Sequence, residues 1–150
     1  MFTLVLCGNQ PYAWDLESPI AQAVAAAITA TRQEGMNGFV ETFESELGYR
    51  FPEPERTWTL EKNDPAALEA AWRSVRAEGS ISEDLSRWKT PCLICAGDAD
   101  EMHGDARRAA SEIPGAKFIS LVGHSHISAF YEADDLLLPH IFELLRSSTP

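Results

Sequence analysis

Residues 89–100 read Lys89-Thr-Pro-Cys-Leu-Ile-Cys-Ala-Gly97-Asp98-Ala99-Asp100, and residues 117–126 read Lys117-Phe-Ile-Ser-Leu-Val-Gly123-His124-Ser125-His126. Two short apolar runs each end near a glycine, and each glycine is followed by residues able to carry protons. In an open parallel sheet, ligands sit beyond the carboxyl ends of the strands. An acid after one strand and a histidine after the next therefore meet at one rim. That pairing suits the acid and base of a hydrolytic triad.

Working outward, Cys92 to Ala96 is predicted as a strand introduced by Pro91, and Phe118 to Val122 as another. Between them, Asp105 to Ile113 is predicted as a helix with Ala106, Ala109, Ala110 and Ile113 facing inward, ended by Pro114-Gly115. From about Asp135, Leu137, Leu138, Ile141, Leu144 and Leu145 mark a last helix. Strand, helix, strand, helix at this spacing implies parallel crossovers with helices on the sheet faces.

Upstream, Phe2 to Cys7 is a continuous apolar run closed by Gly8, which fits a strand buried on both faces. From Ser18 to about Glu78 the signals are helical. Ser18-Pro19 supplies an N-cap and a proline at the first helical position. Ile20, Val24 and Ile28 form one stripe, with Gly35 as a stop. Phe39, Phe43 and Leu47 form a second, closed by Gly48. Phe51-Pro52-Glu53-Pro54 reads as a connector, and Asp64-Pro65 opens a helix with Leu68, Trp72 and Val75 on one face. Core packing alone explains such stripes, and a helical cap over a site is compatible with them. No repeat or low-complexity segment occurs.

Composition limits the partners. The chain has 150 residues, 45% of them hydrophobic, which suits one folded domain. A formal charge of −11 argues against nucleic acid or an anionic membrane as partner. The apolar start is too short for a secretory signal and lacks a basic flank. The alanine-rich run from Ala21 to Ala30 is too short to span a membrane. Three cysteines do not make a disulfide framework, so a cytoplasmic setting is expected. Cys92 and Cys95 form a C-x-x-C, but residues three apart on a strand point to opposite faces. They read as small buried apolar residues.

The order of these elements resembles the C-terminal half of an α/β-hydrolase, over essentially the whole chain. Phe2 to Asn9 looks like the strand after the nucleophile helix, and residues from about Ser18 to Leu85 look like the cap. Pro91 to Asp100 matches the Pro-x-Leu-x-x-x-Gly-x-x-Asp form of the acid-bearing strand. Leu121 to His126 looks like the last strand with its histidine. The resemblance implies an α/β fold: a short parallel sheet with flanking helices and a helical cap. It implies one domain over residues 1–150, with 1–15 and 89–150 as sheet core and 16–88 as cap.

By this resemblance Asp100, three residues after Gly97, is the catalytic acid, and Asp98 is its competitor. His126, three residues after Gly123, is the base, with His124 as the alternative. The substrate class implied is a small ester or lactone, with no cofactor. Each residue also has a plainer reading. An aspartate after a strand is often only a helix N-cap, a role open to Asp105, and a histidine in a glycine-containing loop is often a surface side chain.

The sequence departs from the family in one respect. The Gly-x-Ser-x-Gly elbow that holds the nucleophile occurs nowhere in it. Ser125 sits in a partial mimic, Gly-His-Ser-His, but Ile127 replaces the second glycine and the triad order fails. The expectation is a hydrolase fold that starts part-way through, with little turnover by itself. It would be a homodimer, or would associate with a nucleophile-bearing segment. Two other readings stand beside this one: a non-catalytic self-associating or binding domain, and a divalent-metal site at His124 and His126 with Asp98, Asp100 and His103 nearby.

Overall fold

The computed structural model describes residues 2–9, 11–77, 79–80 and 82–147. Met1 and Glu78, the approximate end of the expected helical stretch, lie outside the described residues. The chain divides into two compact units, Met1–Tyr12 with Ser80–Pro150, and Ala13–Gly79.

The first unit is built on three parallel strands, β1 (Leu4–Cys7), β2 (Cys92–Gly97) and β3 (Lys117–Leu121), in the order β1-β2-β3. Cys7 lies opposite Cys95, and Gly97 opposite Leu121. β2 is central and buried throughout, as an unbroken apolar run requires when both faces are covered. β1 is shorter than its apolar run and only half-buried, because it pairs on one side alone; Phe2 is exposed.

Helix α4 (His103–Glu112) links β2 to β3. Its small residues Ala106, Ala109 and Ala110, with Ile113, pack against Cys92, Ile94 and Ala96 on one face of the sheet. On the other face, Cys95 and Leu121 pack with Ala129 and Ala133. Ala129 belongs to α5 (His126–Tyr131), and Ala133 leads into α6 (Asp134–Ser147). Cys92 and Cys95 thus belong to opposite faces, and both are buried. A 3-10 helix over Ser82–Arg87 places Leu85 in the first cluster.

The second unit is helical. Its first helix, α1 (Pro19–Leu47), is capped by Ser18, whose hydroxyl accepts from the Ala21 N–H. Gly35 was expected to end a helix. It instead bends a continuing one, with φ 59° and ψ −146°, a conformation that only glycine adopts without strain. Gly48 closes α1 in the left-handed conformation.

The proline-rich connector also needs correction. Helix α2 (Glu53–Lys62) begins inside it, with Pro54 in the first turn, where a missing N–H costs nothing. Helix α3 (Pro65–Ala77) follows; its apolar face is half-buried, and none of its residues is fully buried. Arg32 of α1 pairs with Glu69 of α3 at 2.8 Å. Among the described residues, no helix is long and apolar enough to cross a membrane.

Three further differences concern the first unit. Asp105 is not an N-cap: α4 starts at His103, so Asp105 lies inside the first turn. Helix α5 was not anticipated. Ser125 caps it, accepting from the Ser128 N–H while the Ser128 hydroxyl accepts from the Ser125 N–H. In α6, Leu144 is buried, but Leu138 and Leu145 are exposed.

Candidate active site

The carboxyl ends of all three strands contribute to one site. β2 ends at Gly97, and the chain turns so that the Asp100 N–H reaches the Gly97 carbonyl at 3.1 Å. The His103 N–H then donates to the Asp100 carbonyl. This turn brings the Asp100 carboxylate inward, with its side chain fully buried. A buried carboxylate needs partners on both oxygens. Oδ1 accepts from the Met102 N–H at 2.9 Å, and Oδ2 lies 3.0 Å from Nδ1 of His126.

His126 reaches Asp100 because β3 is followed by a tight loop. The Asp98 N–H donates to the Leu121 carbonyl, and the Ala99 N–H donates to the His124 carbonyl. The Asp98 carboxylate accepts from the Gly123 N–H at 2.8 Å. Of the two competing acids, Asp98 therefore ties the loop down and Asp100 faces the histidine. Gly97 makes this possible: a Cβ there would overlap the His124 carbonyl oxygen.

β1 approaches the pair through Gly8, at φ 58°. A Cβ at Gly8 would sit 3.2 Å from Cε1 of His126 and 3.6 Å from Oδ2 of Asp100.

The geometry sets the chemistry of the imidazole. Nδ1 is the ring atom turned to the carboxylate, which can only accept when ionised, and Nε2 is the atom turned away from it. The His126 side chain is 26% exposed, against 0% for Asp100. The ring is thus held on one side by a buried acid and half-open on the other.

His124 contributes its backbone to the strand-end loop. His103 is turned elsewhere, with Nε2 2.9 Å from the Ser120 hydroxyl and its ring edge-on to Phe118. Among the described residues, no three His, Cys, Asp or Glu side chains come together in a way that could hold a metal ion. The metal reading therefore gains no geometric support. Ser125, the partial elbow mimic, is occupied in capping α5.

Sequence reasoning passed over Cys7, which precedes Gly8. Its Sγ faces the Ala129 carbonyl at 3.9 Å, and Cys95 Sγ donates to the Leu6 carbonyl at 3.5 Å. The neighbouring Cys95 holds the Cys7 thiol down at about 7, opposed by burial and by Asp100. Cys95, beside Cys7 and buried, is pushed up. Burial also pushes Cys92 up. The available signal was a cysteine closing an apolar run immediately before a glycine.

No family model matches this sequence, and no curated protein matches it. Solved structures do. The chain is similar to a hydrolase from Pseudomonas aeruginosa PA01, with a TM-score of 0.71 and 21% identity, over 95% of this chain and 55% of that one. It is similar to MenH from S. aureus, with a TM-score of 0.73 and 21% identity, over 97% and 59%. The fold is that of an α/β-hydrolase. The enol-lactonase from Burkholderia xenovorans LB400 agrees, with a TM-score of 0.69 and 20% identity, over 97% and 56%. The chain thus spans just over half the length of these α/β-hydrolase structures.

Proposed function

We propose that this chain carries the acid and base of a serine-type hydrolytic site acting on small esters or lactones. The observation that carries the reading is the buried Asp100 carboxylate 3.0 Å from Nδ1 of His126, at the ends of neighbouring parallel strands. Solved structures of the same fold include an enol-lactonase and an esterase, which supports the substrate class.

In this reading, Nε2 of His126 takes the proton from a serine hydroxyl as its oxygen attacks the substrate carbonyl. Asp100 stabilises the imidazolium that results. The same nitrogen then protonates the leaving alkoxide, and a water molecule activated by His126 releases the acid. The serine is supplied from outside these 150 residues, by a nucleophile-bearing segment. No cofactor takes part. The setting is cytoplasmic, in keeping with three free cysteines.

The test is fluorophosphonate labelling with peptide mapping. One sample is this chain alone, and the other is the chain extended by the sequence encoded upstream of it. The expected result is no labelled serine in the first and one in the added segment of the second, lost when His126 is replaced by alanine. Labelling of Ser125, or of any serine in the chain alone, contradicts this reading.

A second reading, a non-catalytic self-associating domain, has its own support. Among the described residues β1 has one unpaired edge, and Phe130, Leu136 and Phe142 are exposed on α5 and α6.

A further inference from the structure

Two thiols that the proposed hydrolysis leaves unused lie side by side next to the site. Cys7 closes β1, and Cys95 is its partner in the parallel register. Both pack in the same cluster, against Leu121, Ala129 and Ala133. Neighbouring strands run about 4.8 Å apart. That lies inside the Cα separation of roughly 4.4–6.8 Å that a disulfide spans, and the two strands draw together by a few tenths of an ångström to bring the Cβ atoms within the roughly 3.5–4.5 Å that a bridge needs. Cys92 packs with Ile94 and Ala106 on the opposite face, out of reach of both.

The two sulfurs are unequal. Cys7 is half-buried and Cys95 wholly buried. The Cys7 thiol is held down at about 7, so near neutral pH much of it is thiolate, the form that reacts with peroxides and disulfides. Cys95, pushed up and shielded, does not meet peroxide itself; it attacks only once the oxidised Cys7 sulfur lies beside it, giving up its proton in that step.

We propose that Cys7 and Cys95 are a peroxide-sensitive pair that closes to a disulfide between β1 and β2. The Cys7 thiolate attacks one oxygen of a hydroperoxide. The O–O bond breaks, an alcohol (water, from hydrogen peroxide) leaves after taking a proton, and the sulfur is oxidised by two electrons to a sulfenic acid. The Cys95 sulfur then attacks that sulfur. The S–S bond forms, the S–O bond breaks, and hydroxide leaves as water with the Cys95 proton. Two thiols and one hydroperoxide give one disulfide, one alcohol and one water. The bridge forms one residue before Gly8, where an added Cβ would lie 3.2 Å from the His126 ring. The proposal stands whether or not Asp100 and His126 are catalytic.

The test treats the reduced 150-residue chain with hydrogen peroxide, alkylates the remaining thiols in denaturant and maps the peptides. The expected result is one thiol left of three, at Cys92, with a Cys7–Cys95 peptide pair that dithiothreitol releases. Cys95→Ser stops the reaction at a Cys7 sulfenic acid trapped by dimedone, and Cys7→Ser leaves Cys95 reduced. The reaction slows about tenfold from pH 8 to pH 6, as the thiolate fraction falls. Three surviving thiols, a bridge that includes Cys92, or bridges only between copies would each overturn the proposal. The wild-type map decides the matter even if a variant fails to fold.

Discussion

Oδ2 of Asp100 lies 3.0 Å from Nδ1 of His126, and Oδ1 of the same carboxylate accepts the Met102 N–H at 2.9 Å. One buried group both closes the turn after β2 and orients the ring that starts α5. Removing the carboxylate charge should therefore affect the histidine more than the fold. If the proposed serine-type reaction operates, Asp100→Asn is expected to lower kcat by about 10⁴ while leaving the helical content unchanged, because the ring takes the wrong tautomer. Ester hydrolysis alongside circular dichroism checks this. A loss of less than tenfold would remove Asp100 from the mechanism.

Asp98 should behave in the opposite way. Its carboxylate holds the Gly123 N–H at 2.8 Å and does not face His126. Asp98→Ala is expected to lower stability by about 1 kcal/mol, the usual worth of such a bond. It should leave the His126 tautomer as it is. Urea denaturation measures the first, and nitrogen-15 spectra of the ring the second.

The two strand-end glycines should rank in a definite order. Gly8→Ala places a methyl 3.2 Å from a side-chain atom at a φ of 58°, at an expected cost of about 1–2 kcal/mol. Gly97→Ala drives a methyl into the backbone carbonyl of His124, which cannot rotate away. It should be the more damaging, by about 1–3 kcal/mol beyond Gly8→Ala. Equal urea midpoints for the two variants would contradict this account of the strand-end loop.

Cys7 predicts a pH profile. Its thiol is depressed from the ordinary 9.0 to about 7, so the reactive thiolate is scarce below pH 7 and abundant above it. Alkylation of Cys7 in the native chain by iodoacetamide should rise through pH 7 and level off near pH 8. Cys92 and Cys95, both raised, should stay slow throughout. A Cys7 rate that rises only near pH 9 would show that Cys95 does not hold the thiolate.

The proposed second reading, a self-associating domain, predicts a dimer through the edge of β1 and the exposed Phe130, Leu136 and Phe142. Light scattering on the purified chain is expected to give a dimer. A well-behaved monomer at micromolar concentration would show that the edge and this face need no partner.

The sequence made the sheet legible because Leu93, Ile94 and Cys95 form an unbroken apolar run, which suits a strand covered on both sides. Asp100 and His126 were legible through their spacing from Gly97 and Gly123. Choosing between Asp98 and Asp100 required the fold, because which carboxylate meets the Gly123 N–H depends on how two strand ends are offset. Helix α2 was hidden because Pro52 and Pro54 look like breakers, although proline is tolerated in a first turn. Helix α5 was hidden because Ser125 was weighed as a nucleophile and not as a cap. The pairing of Cys7 with Cys95 is a matter of strand register between distant parts of the chain, which no local pattern encodes.

The most direct test of the central claim is the tautomer of His126, read from its ring nitrogen-15 shifts at a pH where the ring is neutral. The account predicts a protonated Nδ1 and a bare Nε2, with the proton moving to Nε2 in Asp100→Asn. A wild-type ring protonated on Nε2, or one indifferent to Asp100→Asn, would contradict the claim that Asp100 poises His126 as a base.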